Sequence, residues 1–307
     1  MTWRRTAGPR RAGFGNARVV VGLVLALVVA ACTDANVHTP GPVTTSPPQP
    51  TPTVTVYDIG ATVWYEGLVI HVDTATATLD EGGGPVELKL RIENPNPDSG
   101  ELDAPIALVT GTTRVQPNQD SSVPLVPPNG SMPATLTYDI QGVSSVDLAA
   151  IEIGNAPNHI ARLPLASPGG GSAVLEPLSL ALAGSATAVD LKITLHTGEL
   201  RWDLPDWSQE LDAGLAVVTL TYDVTYAGTF SGGFAFTGDN VALRLPNGTI
   251  VSARPDGRSQ SVELIGARKT KQSLFSRFVI PSGTTGKFAL LVINGKATKA
   301  IVFTIGG

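Results

Sequence analysis

The sequence is poor in cysteine, in charged residues and in helix formers such as lysine, glutamate and methionine. Its 307 residues include one cysteine and two methionines, and only 15% of them are charged. A single cysteine cannot form a disulfide within the chain, so stability must come from packed apolar cores. Valine and threonine recur throughout, and both favour strands over helices. We therefore expect an all-β protein whose length suits two domains.

The longest apolar run is too short to cross a bilayer as a stable helix. It covers residues 19–31, which is 13 residues, whereas a spanning helix needs roughly 17–25. Five arginines and no acid precede it, an arrangement typical of an export signal. Arginine pairs at 4–5 and 10–11 leave twin-arginine export open, but neither is followed by the apolar pair that this signal prefers, so general secretion is favoured.

The apolar run ends at the only cysteine. Residues 29–32 read "VAAC" and resemble a bacterial lipobox, the motif that lipoprotein signal peptidase recognises through Val29, Ala30 and Ala31. The resemblance implies transfer of diacylglycerol to the Cys32 thiol and cleavage before it. A free cysteine after an ordinary secretory signal is the alternative. We expect a signal peptide at 1–31 and a lipid anchor at the extracytoplasmic face of a bacterial cell membrane.

A proline-rich stretch follows the cysteine. Residues 33–53 contain six prolines among threonine, serine and glycine, with few large apolar side chains. Such a composition cannot form a packed element. In a polyproline II conformation its residues would reach up to roughly 60 Å. We interpret residues 32–53 as a disordered, lipid-anchored tether.

From residue 54 onward, apolar and polar residues alternate with the period of a half-buried strand. "VELKLRIE" at 86–93, "ATLTYDI" at 134–140 and "VTLTYDVTY" at 218–226 are the clearest examples. The last two share "TLTYD", but we expect them to occupy different positions in their domains. The order of segments predicts a better correspondence, in which 86–93, 134–140, 146–153 and 158–165 match 218–226, 274–280, 287–293 and 299–305.

Together these patterns predict two tandem antiparallel immunoglobulin-like β-sandwiches, at 54–165 and 174–307. An Asn-Gly turn at 247–248 joins a predicted hairpin of 241–245 with 249–253, and the glycine-rich stretch 166–173 predicts a flexible linker. Residues 33–165 hold 15 acids and 4 bases, whereas residues 166–307 hold 11 and 12. The acidic first half argues against nucleic acid or an anionic membrane surface as its partner.

The two predicted sandwiches resemble the telokin-like, immunoglobulin-like domains of uncharacterised function found on secreted lipoproteins of Gram-positive bacteria. The matching stretches are "YDIGATV" at 57–63, "RIENPNP" at 91–97, "VPPNGS" at 126–131, "LRLPNGT" at 243–249 and "FVIP" at 278–281. They are spread over most of residues 54–307. The resemblance implies no catalytic residues.

No set of residues predicts catalysis, a cofactor or a metal site. The four histidines are scattered at 38, 71, 159 and 196. His71 and Asp73 could hold a metal from one strand face, but a plain surface pair is the favoured interpretation. "NPNPDSGELD" at 94–103 has alternating oxygen-bearing side chains like a calcium loop, although its glycine is displaced by one position. We favour a proline-shaped connection there.

Two surfaces are candidates for binding a partner. Trp202 and Trp207 lie among acids in "RWDLPDWSQELD" at 201–212. Exposed tryptophans could mark an interface there, but buried core tryptophans are the favoured interpretation. Lys269 and Lys271 belong to the basic cluster at 266–277, which could contact a wall polymer or acidic headgroups, but a solvated strand edge is the favoured interpretation.

The sequence predicts a cell-envelope lipoprotein that is not an enzyme. We expect a binding or structural role, with an envelope protein or polymer as partner and no nucleic acid. The alternatives are a solute-binding or accessory lipoprotein of a transport system and an extracytoplasmic hydrolase. The first would need a deep cleft between domains, and the second a clustered nucleophile and base.

Overall fold

A computed structural model describes residues 51–166, 171–254 and 262–306. Within these ranges the chain is almost entirely β-strand, with two short 3-10 helices, which confirms the predicted all-β fold. No helix in the described ranges is long and apolar enough to cross a membrane. The predicted signal peptide, the lipobox with Cys32, His38 and nearly all of the tether lie outside the described residues.

The first sandwich consists of nine strands arranged in two sheets. Their bounds are β1 (Thr53–Tyr65), β2 (Leu68–Leu79), β3 (Gly83–Asn94), β4 (Ile106–Thr110), β5 (Thr113–Val115), β6 (Gly130–Gln141), β7 (Ala150–Ile153), β8 (Ala161–Pro164) and β9 (Ala173–Val174). One sheet has the order β6-β3-β2-β1-β9 and the other β5-β4-β7-β8. Their inner faces enclose one apolar core that includes Tyr65, Leu88 and Tyr138.

The second sandwich follows with twelve strands and both 3-10 helices. The bounds are β10 (Leu178–Ala188), β11 (Leu191–Arg201), β12 (Asp203–Leu204), η1 (Pro205–Trp207), β13 (Gln209–Glu210), β14 (Leu215–Tyr226), β15 (Phe234–Phe236), η2 (Gly238–Asn240), β16 (Val241–Arg244), β17 (Ile250–Ser252), β18 (Glu263–Ile265), β19 (Lys269–Pro281), β20 (Gly286–Asn294) and β21 (Ala297–Ile305). The main sheets are β10-β11-β14-β19 and β17-β16-β20-β21, and two short hairpins pair β12 with β13 and β15 with β18. A separate core lies between the main sheets.

The two sandwiches have the same strand order. Strands β1, β2, β3 and β6 of the first match β10, β11, β14 and β19 of the second, and β5, β4, β7 and β8 match β17, β16, β20 and β21. This order confirms the correspondence predicted from the sequence. The two "TLTYD" segments lie in β6 and β14, which are not equivalent strands, so the second expectation is also confirmed.

The predicted alternation agrees with the observed burial. On β3, Val86, Leu88, Leu90 and Ile92 are buried while the residues between them are exposed. The late strands of the first sandwich are shorter than predicted. Tight turns occupy residues 146–149 and 155–158, where the N–H groups of Ala149 and Asn158 donate to the carbonyls three residues earlier. These turns delay the start of β7 and β8.

The described end of the predicted linker is part of the first sheet. The N–H of Gly171 donates to the Gly60 carbonyl, the N–H of Thr62 donates to the Ser172 carbonyl, and β9 pairs with β1 in parallel. β8 ends where the N–H of Leu165 donates to the Ala149 carbonyl, whereas Tyr65 donates to the His159 carbonyl near the start of β8, at the other end of the sandwich. Residues 171–174 therefore run along β1 before the second sandwich begins, an arrangement that the glycine-rich composition did not indicate.

Candidate functional site

The connection between the second and third strands differs between the matching sheets, and in the second sandwich it brings buried polar groups together. In the first sandwich, only residues 80–82 separate β2 from β3. In the second, the equivalent strands β11 and β14 are separated by residues 202–214, here called the connector. Leu204 and Leu211 of the connector pack against Val217 in a small apolar cluster of their own. The connector is thereby fixed to the second sandwich.

The connector also binds the first sandwich through hydrogen bonds from backbone N–H groups. The N–H of Gly67 donates to Asp203 Oδ2 (2.7 Å) and the N–H of Glu66 to Glu210 Oε2 (3.3 Å). The N–H of His159 donates to the Leu211 carbonyl (3.1 Å), and the N–H of Ala213 donates to the Pro157 carbonyl (2.8 Å). Buried backbone groups need such partners. These bonds therefore fix the β1–β2 turn and the segment before β8 against the second sandwich.

Two buried carboxylates at this junction have well-defined partners. The Arg201 guanidinium donates to both oxygens of Asp203, from Nε at 2.7 Å and from Nη2 at 3.1 Å. A forked pair of this kind fixes geometry as well as charge. Glu66 Oε2 accepts from the backbone N–H groups of Asp103 (2.9 Å) and Ala104 (3.2 Å). Burial nevertheless raises the pKa of Glu66 above its ordinary value.

Glu210 is the least satisfied polar group of the junction. It is 2% exposed, and its Oε1 has no hydrogen-bond partner. Burial, assisted by the negative charge of Asp203, raises the pKa of Glu210 to about 9. The pKa of His159 is lowered, again mainly by burial. Both groups are neutral at pH 7, so the 3.4 Å contact between His159 Nδ1 and Glu210 Oε1 is not an ion pair at that pH.

The junction is suited to holding the sandwiches together. Among the residues of 51–166, 171–254 and 262–306, no group of three or more His, Cys, Asp or Glu side chains could hold a metal ion. A cleft of about 90 Å³ lies between residues 96–100 and the connector residues Pro205, Asp206 and Ser208. Ligand pockets usually measure about 300–1,000 Å³. This cleft has room for a few water molecules.

The structure separates the two tryptophans that the sequence grouped together. Trp202 is partly buried against the second core, and its Nε1 donates to Ser282 Oγ at 3.4 Å. Trp207, in η1 of the connector, is 54% exposed. One tryptophan therefore follows the core interpretation and the other the surface interpretation.

Lys269 and Lys271 lie at the opposite end of β19 from the tryptophans. Trp202 contacts Ser282, just after β19, and the lysines are exposed at its start. Thirteen strand residues span roughly 40 Å, so the two candidate surfaces are distinct. Lys271 Nζ lies 3.1 Å from Glu263 Oε2. β19 is an edge strand, and edge lysines discourage pairing with other chains.

The remaining candidates have ordinary structural roles. His71 Nε2 lies 3.5 Å from Glu93 Oε2, and its Nδ1 lies 3.3 Å from Thr62 Oγ1, as in a surface pair. In the loop 94–103, the buried Asn94 amide donates to the Asp98 carbonyl at 2.8 Å and accepts from the Asn96 N–H at 2.9 Å. Asn94 therefore braces the loop from inside, which fits the proline-shaped connection.

Sequence reasoning missed Glu66, His159 and Glu210 as a group. Glu66 is a single acid in the turn between two strands, and more than 90 residues separate it from His159. No local spacing links them. The only signal was the unusual acidic segment at 201–212, which includes most of the connector.

Comparisons with known proteins give no family for this chain. No protein-family model matches the sequence, and no curated protein matches it. One similar solved structure is described as a conserved domain protein from Bacillus anthracis. It is 8% identical, covers 82% of this chain and 90% of its own, and has a TM-score of 0.25. A score this low supports no statement about this chain.

Proposed function

We propose that the chain is a lipoprotein of the bacterial cell envelope with a binding or structural role and no catalytic activity. Diacylglycerol on Cys32 anchors it at the extracytoplasmic face of the membrane, and residues 33–53 form the tether. The two sandwiches, of the telokin-like type that the sequence resembles, are displayed beyond it. An envelope protein or polymer is the expected partner.

The order of features along the chain carries this proposal. A basic segment, a 13-residue apolar run and "VAAC" at 29–32 are followed by six prolines within residues 33–53. The first strand then begins at Thr53. An export signal, an acyl acceptor, a spacer and a folded unit in this order are the parts that a displayed lipoprotein needs.

The junction supports a display role because its buried polar groups bind the sandwiches to each other. Asp203 is engaged by Arg201 and by the Gly67 N–H, and Glu66 by two backbone donors. Hydrolysis would need an activated nucleophile or a metal-bound water in an accessible place. The carboxylates at the junction are buried and serve as acceptors, so they suit a rigid support.

The test is the chemical state of the mature N-terminus in a Gram-positive host. We expect mass spectrometry of the membrane fraction to find Cys32 as the first residue, carrying diacylglycerol. Cys32→Ser should remove the lipid and leave the chain uncleaved or shed, whereas the neighbouring control Thr33→Ser should keep the wild-type product. An unmodified N-terminus at any other residue contradicts the proposal.

The absence of catalysis needs a separate test, because a lipoprotein can be an enzyme. Crosslinking on intact envelopes, followed by purification of the acylated protein, should recover a stable partner. Turnover of an envelope substrate by the purified protein would contradict the non-enzymatic part and leave the anchor unaffected.

A further inference from the structure

The end of the second sandwich opposite the connector gathers several loops into one surface. This distal tip consists of residues 189–190, 227–233, 264–268 and 294–297. The N–H of Ala227 donates to the Asp190 carbonyl (2.7 Å), and the N–H of Arg268 donates to the Gly228 carbonyl (3.2 Å). The Asn294 amide donates to Asp190 Oδ1 at 2.8 Å. The loops are therefore held beside one another.

Large apolar side chains project from the distal tip. They are Val189 (75% exposed), Phe230 (66%) and Leu264 (69%). Val189 has a positive φ of 56° in the two-residue turn between β10 and β11, a conformation that β-branched residues avoid. Phe230 opens a tight turn closed by the Gly233 N–H. Both therefore sit on protruding turns, and exposed apolar clusters usually mark a contact surface.

Basic side chains surround these apolar residues. Lys192, Arg268, Lys269, Lys271 and Lys296 are all exposed on or beside the loops of the tip. The acids at this end are Asp190, which accepts from Asn294, Glu263, which pairs with Lys271, and the exposed Asp239 of η2, so these five bases outnumber three acids. The first sandwich is strongly acidic by comparison. A negatively charged surface would attract the tip and repel the first sandwich, which would orient the molecule.

We propose that the distal tip docks on the surface of a bilayer containing anionic phospholipid. Apolar residues on protruding turns, with lysine and arginine around them, match the chemistry of the headgroup region, where apolar side chains enter the acyl boundary and cations meet phosphates. Phe230 and Leu264 enter the boundary, and Arg268 and Lys269 contact headgroups. The inference does not depend on acylation of Cys32, because the tip contains none of the tether.

The test is vesicle binding by the unacylated chain 33–307, which keeps every described residue. Co-sedimentation compares binding of the chain to two kinds of vesicle. One contains phosphatidylglycerol and phosphatidylcholine in a ratio of about 1:1, which gives a strongly anionic surface, and the other contains phosphatidylcholine alone. We expect binding to the anionic vesicles, with a loss at high salt because screening weakens headgroup contacts. Equal binding to both vesicle types, or to neither, overturns the proposal.

Matched variants separate the tip from the rest of the surface. Phe230→Ala should weaken vesicle binding about tenfold, and the control Trp207→Ala, also an exposed aromatic residue, should leave it unchanged. Arg268→Gln with Lys269→Gln should weaken it about 25-fold. Lys89→Gln with Arg91→Gln removes the same charge from the first sandwich and should not weaken binding. Equal losses in variants and controls contradict a docking site at the tip.

A direct readout of insertion distinguishes a bilayer from an acidic protein or polymer. Phe230→Trp places a fluorophore at the tip, and lipids with brominated acyl chains should quench it beyond the quenching seen in the wild-type chain. Two results together would overturn the proposal: soluble polyglutamate abolishes vesicle binding, and brominated lipid does not quench the fluorescence of the tryptophan at position 230. They would assign the tip to an acidic macromolecule.

Discussion

The two sandwiches have the same strand order, yet they differ at the connection between their second and third strands. Residues 80–82 make this connection in the first sandwich, with reciprocal hydrogen bonds between Asp80 and Gly83. In the second, the connector of residues 202–214 packs on its own sheet and binds the first sandwich. The longer connection thus adds an interface with the first sandwich, while the matching strands keep the same order.

The cores also differ in their aromatic residues. The second contains stacked or edge-on pairs, such as Phe288 with Phe303 (5.9 Å between ring centres) and Tyr222 with Phe236 (6.1 Å). Residues 54–165 contain no phenylalanine at all, and the first core uses aliphatic residues with three tyrosines. Substitutions in the second core should therefore have the larger effects, since aromatic pairs add to area burial.

Core truncation gives the largest expected effect. Phe288→Ala should lower the free energy of unfolding of the second sandwich by about 3–5 kcal/mol, and Leu108→Ala should lower that of the first by about 2–5 kcal/mol. Both side chains are buried. Urea denaturation monitored by hydrogen exchange would resolve the two sandwiches. If each substitution destabilised both sandwiches equally, the junction would make them a single cooperative unit.

Removal of the cation at the junction should have the next largest effect. Arg201→Ala leaves Asp203 buried without its guanidinium partner, which should cost about 3 kcal/mol. Arg91→Ala, which removes an exposed arginine 3.8 Å from Glu93, should cost less than about 1 kcal/mol. Adding Asp203→Asn to Arg201→Ala should recover part of the loss. Equal melting temperatures for the two arginine variants would show that the junction contributes no stability.

The buried Glu210 should make the molecule less stable as the pH rises above neutrality. Its pKa is about 9 in the folded chain against an ordinary 4.5, so between these values the folded state holds a proton that the unfolded state has released. The free energy of unfolding should then fall by about 2–3 kcal/mol from pH 7 to pH 9. The lowered pKa of His159 acts only below about pH 6.5, outside this range.

Glu210→Gln tests the assignment because glutamine is neutral at every pH and nearly the same size. The variant should lose most of the decline between pH 7 and 9 in denaturation measurements. Glu87→Gln, at an exposed position on β3, should keep the wild-type decline. A Glu210→Gln curve parallel to the wild type would mean that the proton is bound elsewhere.

The smallest expected effect separates the two tryptophans. Trp202→Ala should cost about 1–3 kcal/mol because the ring packs on the second core. Trp207→Ala should change stability by less than about 0.5 kcal/mol because the ring is exposed. Thermal melting of both single variants measures the difference, and a large loss from Trp207→Ala would place its ring in the junction.

The strands could be predicted from the sequence because their pattern is local. Alternation on β3 and β14 identifies both the strand and its buried face within eight or nine residues. The junction could not be predicted, since Glu66, His159 and Glu210 meet only after both sandwiches have formed. Burial of Trp202 and exposure of Trp207 likewise depend on what covers each ring, and an aspartate adjoins both tryptophans. The lipid anchor at Cys32 stays a prediction.

The parallel pairing of β9 with β1 has a consequence for a molecule held at one end and pulled at the other. Tension from the tether would enter β1 at Thr53 and leave the first sandwich through β9 toward Leu178. The two strands run in the same direction, so opposite pulls on them would slide one past the other. The hydrogen bonds between them, which include the bond from the Thr62 N–H to the Ser172 carbonyl, would then be loaded in shear and would all resist the force at once. The pairing of β9 with β1 would therefore protect the first sandwich from unfolding under tension.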